Sequence, residues 1–159
     1  MKKLLEKQVV FNGTLKFLSA FAKGRHFHYI TRLLTSGFAK LNLLLNKPSK
    51  PTDIQGLAET WQKLMPPDGQ QYFKITEVTG DTAFTEIHLH CPLRGSGNPH
   101  ACHRLMNYDR KLMEKVGGQL VVLESQSNSG QPYCKLAIRK QGVSIADLTA
   151  AHEQPDDGQ

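Results

Sequence analysis

The sequence has few cysteines and no long apolar run. Its 159 residues include three cysteines, an odd number. The basic start, Met1–Lys7, is not followed by the apolar stretch and small-residue cleavage site of a secretory signal. We therefore expect a cytoplasmic protein with reduced thiols rather than a disulfide framework. Because no segment is apolar for the roughly 18 residues that a membrane-spanning helix requires, the sequence also predicts no such helix.

Acidic residues are nearly absent from the first third of the chain. Residues 1–50 contain ten lysines and arginines but a single acid, Glu6, whereas the remainder holds ten basic residues and thirteen acids. Such a basic arm can contact nucleic acid, an anionic membrane surface or an acidic protein. Aromatic residues are not interleaved with arginine, and no helix-turn-helix or RNA-binding signature is present. We therefore favour a solvated helix face over nucleic-acid binding, with peripheral membrane contact as a further alternative.

The basic arm is predicted to consist of amphipathic helices. Apolar side chains recur every three or four residues through residues 1–46. Glycine predicts breaks near Gly13, Gly24 and Gly37. Because short helices need a second surface to cover their apolar stripe, we expect a homodimer that packs through them.

The rest of the chain predicts an α+β domain with an antiparallel sheet. Pro48 and Pro51 end the helical arm, and Thr52 or Asp53 can cap a short helix after it. The apolar period then changes from helical spacing to two, and the order becomes β-β-α-β-β. Strands are predicted at 71–78, 84–90, 119–124 and 133–140, and a helix from about 100 to 116. The resulting division is a basic amphipathic helical region at 1–50, a cysteine-containing ligand-binding domain at 51–145 and a flexible tail at 146–159.

All three cysteines lie in one stretch of this domain. Cys91 is expected at a strand end, Cys102 in the first turn of the next helix, and Cys134 at the start of the last strand. Their spacing does not match a zinc finger or ribbon, whose ligands come in close pairs. The three elements can nevertheless converge, and three thiolates with one further donor would satisfy a tetrahedral zinc site. The candidate fourth donors are Glu124, His90, His100 and His103.

Two other interpretations of the cysteines stay open. Each thiol can be a small buried core residue, as free cysteine often is. Alternatively, the helix start is expected to lower the pKa of Cys102 and make it reactive.

A pocket between sheet and helix is expected to hold a small-molecule ligand. The residues expected to contact that ligand are Phe84, His90, Arg94, His103, Leu105, Tyr108, Asp109 and Leu112, with Leu136 also in the lining.

The element order, together with Cys102, Glu124, Gly130 and Cys134, resembles the vinyl-reductase-type small-molecule-binding domain. That family shares its α+β fold with the Bet-type trafficking subunits. The resemblance implies a zinc ion held by three cysteines and a glutamate beside a buried ligand pocket. Ser127 stands where the middle cysteine of that set is expected, so Cys91 would have to replace it.

The segments around the cysteines are also similar to two related groups. These segments are Cys-Pro-Leu-Arg from Cys91, Ala-Cys at Cys102 and Gly-Gln-Pro-Tyr-Cys at 130–134. Similarity to the methanogen-type output domain implies a non-enzymatic sensory domain, which we favour. Similarity to the aminothiazoline-carboxylate hydrolases implies a small hydrolase that acts on a cyclic amide or thiazoline. A thiol redox switch without metal is a third hypothesis. In the hydrolase, Cys102 or Cys91 would be the nucleophile, His103 or His90 the base, and Asp109 its orienting group.

Overall fold

The computed structural model describes residues 2–24, 28–66 and 69–154, with side chains described for 13–24, 28–66 and 71–154. The described residues form helices and an antiparallel four-stranded sheet, so the predicted α+β class is confirmed. The helices are α1 (Lys2–Lys23), α2 (His28–Asn46), α3 (Ile54–Leu64), α4 (Gly69–Tyr72), α5 (Pro99–Leu105) and α6 (Asn107–Val116). The strands are β1 (Phe73–Thr79), β2 (Thr82–Ile87), β3 (Gly118–Glu124) and β4 (Cys134–Lys140).

The sheet has the strand order β1-β2-β4-β3, with every neighbouring pair antiparallel. β1 and β2 form a hairpin through Gly80, whose φ of 53° lies in the left-handed region that favours glycine. β4 occupies a central position, where Cys134 pairs with Ile87 and Leu136 pairs with Thr85. Because side chains alternate along a strand, Cys134, Leu136 and Thr85 share the face that packs against the helices.

The main hydrophobic core lies between this sheet face and helices α3 and α6. Asp53 caps α3 by accepting a hydrogen bond of 2.6 Å from the Gly56 N–H, as one of the two predicted caps. Trp61 is fully buried beneath α6, and its ring meets the Phe73 ring edge-on at 5.6 Å. Side chains of this size each contribute about 1.5–3 kcal/mol when they are removed from water. The other large side chains that are fully buried include Leu57, Leu112, Met113, Leu136 and Ile138.

Several predicted boundaries are wrong. α1 continues through Gly13 and α2 through Gly37, because a glycine inside a helix costs only about 1 kcal/mol, which packing can offset. The helix predicted from 100 to 116 is two helices that meet at Met106. β2 ends at Ile87 rather than 90: the His88 N–H makes one further bond to the Tyr72 carbonyl, at 2.7 Å, and the chain then enters the loop of Cys91.

The N-terminal helices rest on the helices that carry the cysteine region. Arg104 of α5 donates two hydrogen bonds, of 2.9 and 2.7 Å, to the Ala22 carbonyl at the end of α1. On α2, the Asn42 amide donates to the Tyr108 hydroxyl at 2.6 Å. Asn107 donates to the Thr35 hydroxyl of α2 at 2.8 Å. Within the described ranges, no helix combines the length and the apolarity needed to cross a bilayer.

Candidate functional site

The thiols of Cys102 and Cys134 form a buried pair between α5 and β4. The two side chains are hydrogen-bonded to each other, and they are only 4% and 5% exposed. Cys91, in the loop after β2, is half-buried and lies close enough to interact electrostatically with both. The fold therefore brings three residues from positions 91, 102 and 134 to one region, where Cys102 and Cys134 lie close enough to shift each other's pKa.

The two thiols shift each other's pKa in opposite directions. The hydrogen bond to Cys134, with burial, raises the pKa of Cys102 well above its ordinary value. The pKa of Cys134 is lowered, because its sulfur accepts hydrogen bonds from Cys102 and, at 3.4 Å, from the Gln126 N–H. The expectation that the helix start activates Cys102 is wrong, because donation to Cys134 and burial together outweigh it. The first thiolate to form in the pair belongs to Cys134.

Two serines extend the thiol pair into a buried polar cluster. The Ser125 hydroxyl is hydrogen-bonded to Cys102, and its oxygen lies 2.8 Å from the Ser127 hydroxyl oxygen. Both serines are 1% exposed. Ser127 thus joins the cluster through its bond to Ser125. Ser125 was not predicted, because a serine that follows a strand gives no sequence signal of burial.

A buried amide fixes the loop that carries Cys91. Gln126 is 1% exposed, and its side-chain oxygen accepts the Cys91 N–H at 3.3 Å while its nitrogen donates to the Leu89 carbonyl at 2.9 Å. The Gln126 carbonyl also accepts the Gly95 N–H at 2.9 Å. These bonds place Cys91 beside the Cys102–Cys134 pair. The burial of Cys91 raises its pKa.

Asp109 lies behind the pair, on α6. It is 7% exposed, accepts a hydrogen bond of 3.0 Å from the indole N–H of Trp61, and interacts electrostatically with Cys134. Burial raises the pKa of Asp109 from 3.8 to about 6. In the described part of the chain its side-chain partner is Trp61 rather than a histidine. This geometry does not provide the histidine-orienting role that the hydrolase hypothesis gave Asp109.

A cavity of about 400 Å³ opens beside Cys102. Cys102, His103, Arg110 and His152 supply most of its polar wall, and Glu153 lies at its edge. The apolar wall comes from Pro99, Leu120, Val122, Ile145, Leu148 and Ala151. Part of this wall belongs to the C-terminal tail, which packs against β3 through a 2.8 Å bond from the Ala151 N–H to the Val122 carbonyl.

The polar wall combines one cation with neutral rings. The His103 and His152 ring centroids are 3.8 Å apart. Burial, with the nearby charge of Arg110, lowers the pKa of His103 to about 4, and burial lowers that of His152. Arg110 donates one hydrogen bond of 2.5 Å to the His103 carbonyl, and no described carboxylate forms an ion pair with it. At neutral pH the cavity therefore presents a guanidinium beside two uncharged imidazoles, with the Glu153 carboxylate 3.8 Å from the His152 ring nitrogen.

The other predicted site residues lie elsewhere. Of the eight predicted ligand contacts, His103 lines the cavity and Asp109 lies behind the thiols. Tyr108 bonds Asn42, and Phe84 lies on the outer sheet face with the Lys135 ammonium 6.0 Å from its ring centre. His90 and Arg94 are exposed loop residues, Leu105 and Leu112 are core residues, and Glu124 pairs with Lys135 in the sheet.

Among the residues described, no three His, Cys, Asp or Glu side chains form a group arranged to hold a metal ion. Zinc binding through Cys91, Cys102, Cys134 and Glu124 stays a prediction.

Compared with protein-family models, curated proteins and solved structures, the chain gives no significant match. The resemblance to the vinyl-reductase-type and methanogen-output-type domains therefore rests on the motifs around its cysteines and stays a prediction.

Proposed function

We propose that this protein is a small-molecule-binding sensory domain whose ligand occupies the cavity beside Cys102. One observation carries the proposal. Cys102 is both part of the cavity wall and the hydrogen-bond donor to Cys134. A ligand in the cavity would contact Cys102. It would thereby change the interaction between Cys102 and Cys134 on which the protonation of both thiols depends.

The chemistry of the cavity wall favours a small organic anion with an apolar portion. Arg110 offers a planar set of donors that suits a carboxylate, and no described acid pairs with it. His103 and His152 add neutral donors, while the leucine, valine and isoleucine side chains cover the rest of the ligand. A volume of about 400 Å³ is typical of small-molecule sites.

The pKa shifts of Cys102 and His103 favour a sensor over a hydrolase. A cysteine nucleophile reacts as the thiolate, yet the thiol in the cavity wall, Cys102, is the one held protonated. The neighbouring His103 is a weak base, because its pKa is about 4. The hydrolase remains a second candidate, because Cys102 and His103 share one wall of the cavity.

Calorimetric titration with a series of small carboxylates and their neutral amides tests the proposal. We expect the purified protein to bind one or more carboxylates and not the matching amide. Arg110→Gln should weaken that binding by roughly tenfold or more, the usual loss for a charge-assisted pair. Lys111→Gln is the matched control, because it removes the same charge one residue away, where the ammonium pairs with Glu114 on the surface.

Two results would count against this function. Absence of carboxylate binding, or equal binding by Arg110→Gln and the wild type, would show that the cavity is not an anion site. Turnover of a cyclic amide or thiazoline carboxylate that is lost in Cys102→Ser would instead establish the hydrolase. Metal analysis of untagged protein separately tests the zinc prediction.

The amphipathic character of the N-terminal helices and the homodimer expected from it are a separate proposal. Its support is the general need of short amphipathic helices for a second surface; on α2 a second copy would compete with any other apolar partner for exposed side chains such as Leu33 and Leu44. Sedimentation of the free protein measures this association directly.

A further inference from the structure

The outer side of α2 carries large apolar residues, whereas its inner side carries small residues, two of which are polar. The buried residues of α2 are Thr31, Thr35 and Ala39. At 3.6 residues per turn, Tyr29 and Phe38 bound an outward arc of roughly half the helix circumference. Lys40 is the one charged residue in that arc. The large exposed apolar residues, which we call the outer face of α2, are Tyr29, Ile30, Leu33, Phe38, Leu41, Leu44 and Leu45.

This orientation is fixed by specific hydrogen bonds. Asn42 bonds both the Tyr108 hydroxyl, at 2.6 Å, and the Leu64 carbonyl, at 2.9 Å. Thr35 accepts from Asn107 at 2.8 Å. Rotating α2 to bury its leucines would break these bonds, so the apolar side is held outward. Leu33, Leu44 and Leu45 are at least 70% exposed, and a contiguous apolar patch of this kind marks an interaction surface.

On α2 and in the described segment just after it, the exposed charged residues are all cations. Arg32 and Lys40 are exposed on α2, and Lys47 and Lys50 are exposed just after it. The sequence contains no acid between Glu6 and Asp53. Among the residues described, the ion pairs include none of these four cations. The partner of this surface must therefore be apolar at its centre and negatively charged around it.

We propose that the outer face of α2 binds to an anionic lipid bilayer surface, with the helix lying in the plane of the interface. The leucines would enter the boundary between headgroups and acyl chains, and the lysines would remain among anionic headgroups. Each basic side chain near such a surface adds to the attraction. A second copy of the chain fits less well, because apposed outer faces bring the same cations together without an acid opposite them.

Vesicle co-sedimentation of the full-length protein tests this proposal. We expect binding to vesicles of phosphatidylcholine with phosphatidylserine, little binding to phosphatidylcholine alone, and release by high salt. The double variant Leu33→Gln/Leu44→Gln should bind at least roughly tenfold more weakly, because it removes apolar surface that enters the lipid. Both side chains are exposed, so its thermal unfolding should match that of the wild type.

Lys40→Gln and Lys74→Gln form a matched pair of charge variants. Both lysines are exposed, but Lys74 lies on β1, away from the outer face. Only Lys40→Gln should reduce vesicle binding. Equal binding to neutral and anionic vesicles, or none to either, would overturn the proposal. So would a stable dimer without lipid that Leu33→Gln/Leu44→Gln converts to monomer, because the occupant would then be a second copy.

Discussion

Replacing Asp109 by asparagine is expected to stabilise the protein at neutral pH. The carboxyl is buried, and burial raises its pKa from 3.8 to about 6. The folded state therefore holds the proton more tightly than the unfolded state does. The favourable contribution of Asp109 is complete below pH 3.8 and is lost as the pH rises through about 6. The difference between the two pKa values corresponds to about 3 kcal/mol of destabilisation at pH 7.5.

Asparagine removes this cost without removing the hydrogen bond. Its amide oxygen can accept the Trp61 N–H that Asp109 accepts at 3.0 Å. We expect Asp109→Asn to raise the free energy of unfolding by up to about 3 kcal/mol at pH 7.5 and by much less at pH 4.5. Asp109→Leu should gain less than Asp109→Asn, because it leaves the buried indole N–H without an acceptor.

Because His103 also changes stability with pH, the effect of Asp109 has to be measured as the difference between Asp109→Asn and the wild type. Its pKa falls from 6.5 to about 4 in the folded protein, so its neutral form is favoured and stability rises with pH through that range. This slope opposes that of Asp109, and the wild-type curve between pH 4 and 6 contains both. The difference between Asp109→Asn and the wild type isolates the carboxyl.

Urea unfolding followed by tryptophan fluorescence measures these quantities. Trp61 is the single tryptophan of the chain and is fully buried, so its emission reports the core directly. Asp81→Asn, at an exposed hairpin position, is the control and should change stability little. If Asp109→Asn is no more stable at pH 7.5, or gains equally at both pH values, then burial of the ionised Asp109 carboxylate does not destabilise the folded protein.

Three further changes test other parts of the site. Gln126→Ala should lower the free energy of unfolding by about 2–4 kcal/mol, because it leaves the Cys91 N–H without its acceptor; a loss below about 0.5 kcal/mol in urea unfolding would contradict this role. Thr85→Val should raise thermal stability by about 1 kcal/mol, because the buried Thr85 hydroxyl has no partner among the described residues; a loss would indicate a partner. Cys102→Ala should raise the pH midpoint for alkylation of Cys134, measured by mass spectrometry, since the thiol that donates to it is gone; an unchanged midpoint would refute the proton assignment.

The fold class was predictable because its signals are local. The change of period from helical spacing to two identifies the sheet, and Gly80 marks the hairpin between its first two strands. The boundary at Met106 was not predictable, because its φ of −68° and ψ of 0° are open to most residues and no glycine or proline marks them. Gly37 was misread as a break because the packing of α2, rather than local preference, decides its length.

The candidate site was only partly predictable. The cysteines and His103 stand out because their side chains have few purely structural uses. Arg110 and His152 join the cavity through the packing of α6 and of the C-terminal segment on β3. Gln126 gains its role from burial, which a polar turn does not indicate. Which thiol holds the proton depends on the Cys102–Cys134 bond, and therefore on tertiary contacts across 32 positions of the chain.

The bond between Asn42 and Tyr108 gives α2 a mechanical connection to the interior. Tyr108 immediately precedes Asp109, which in turn is tied to Trp61 of α3. Sliding or tilting of α2 must either rupture this chain of contacts or carry α6 with it.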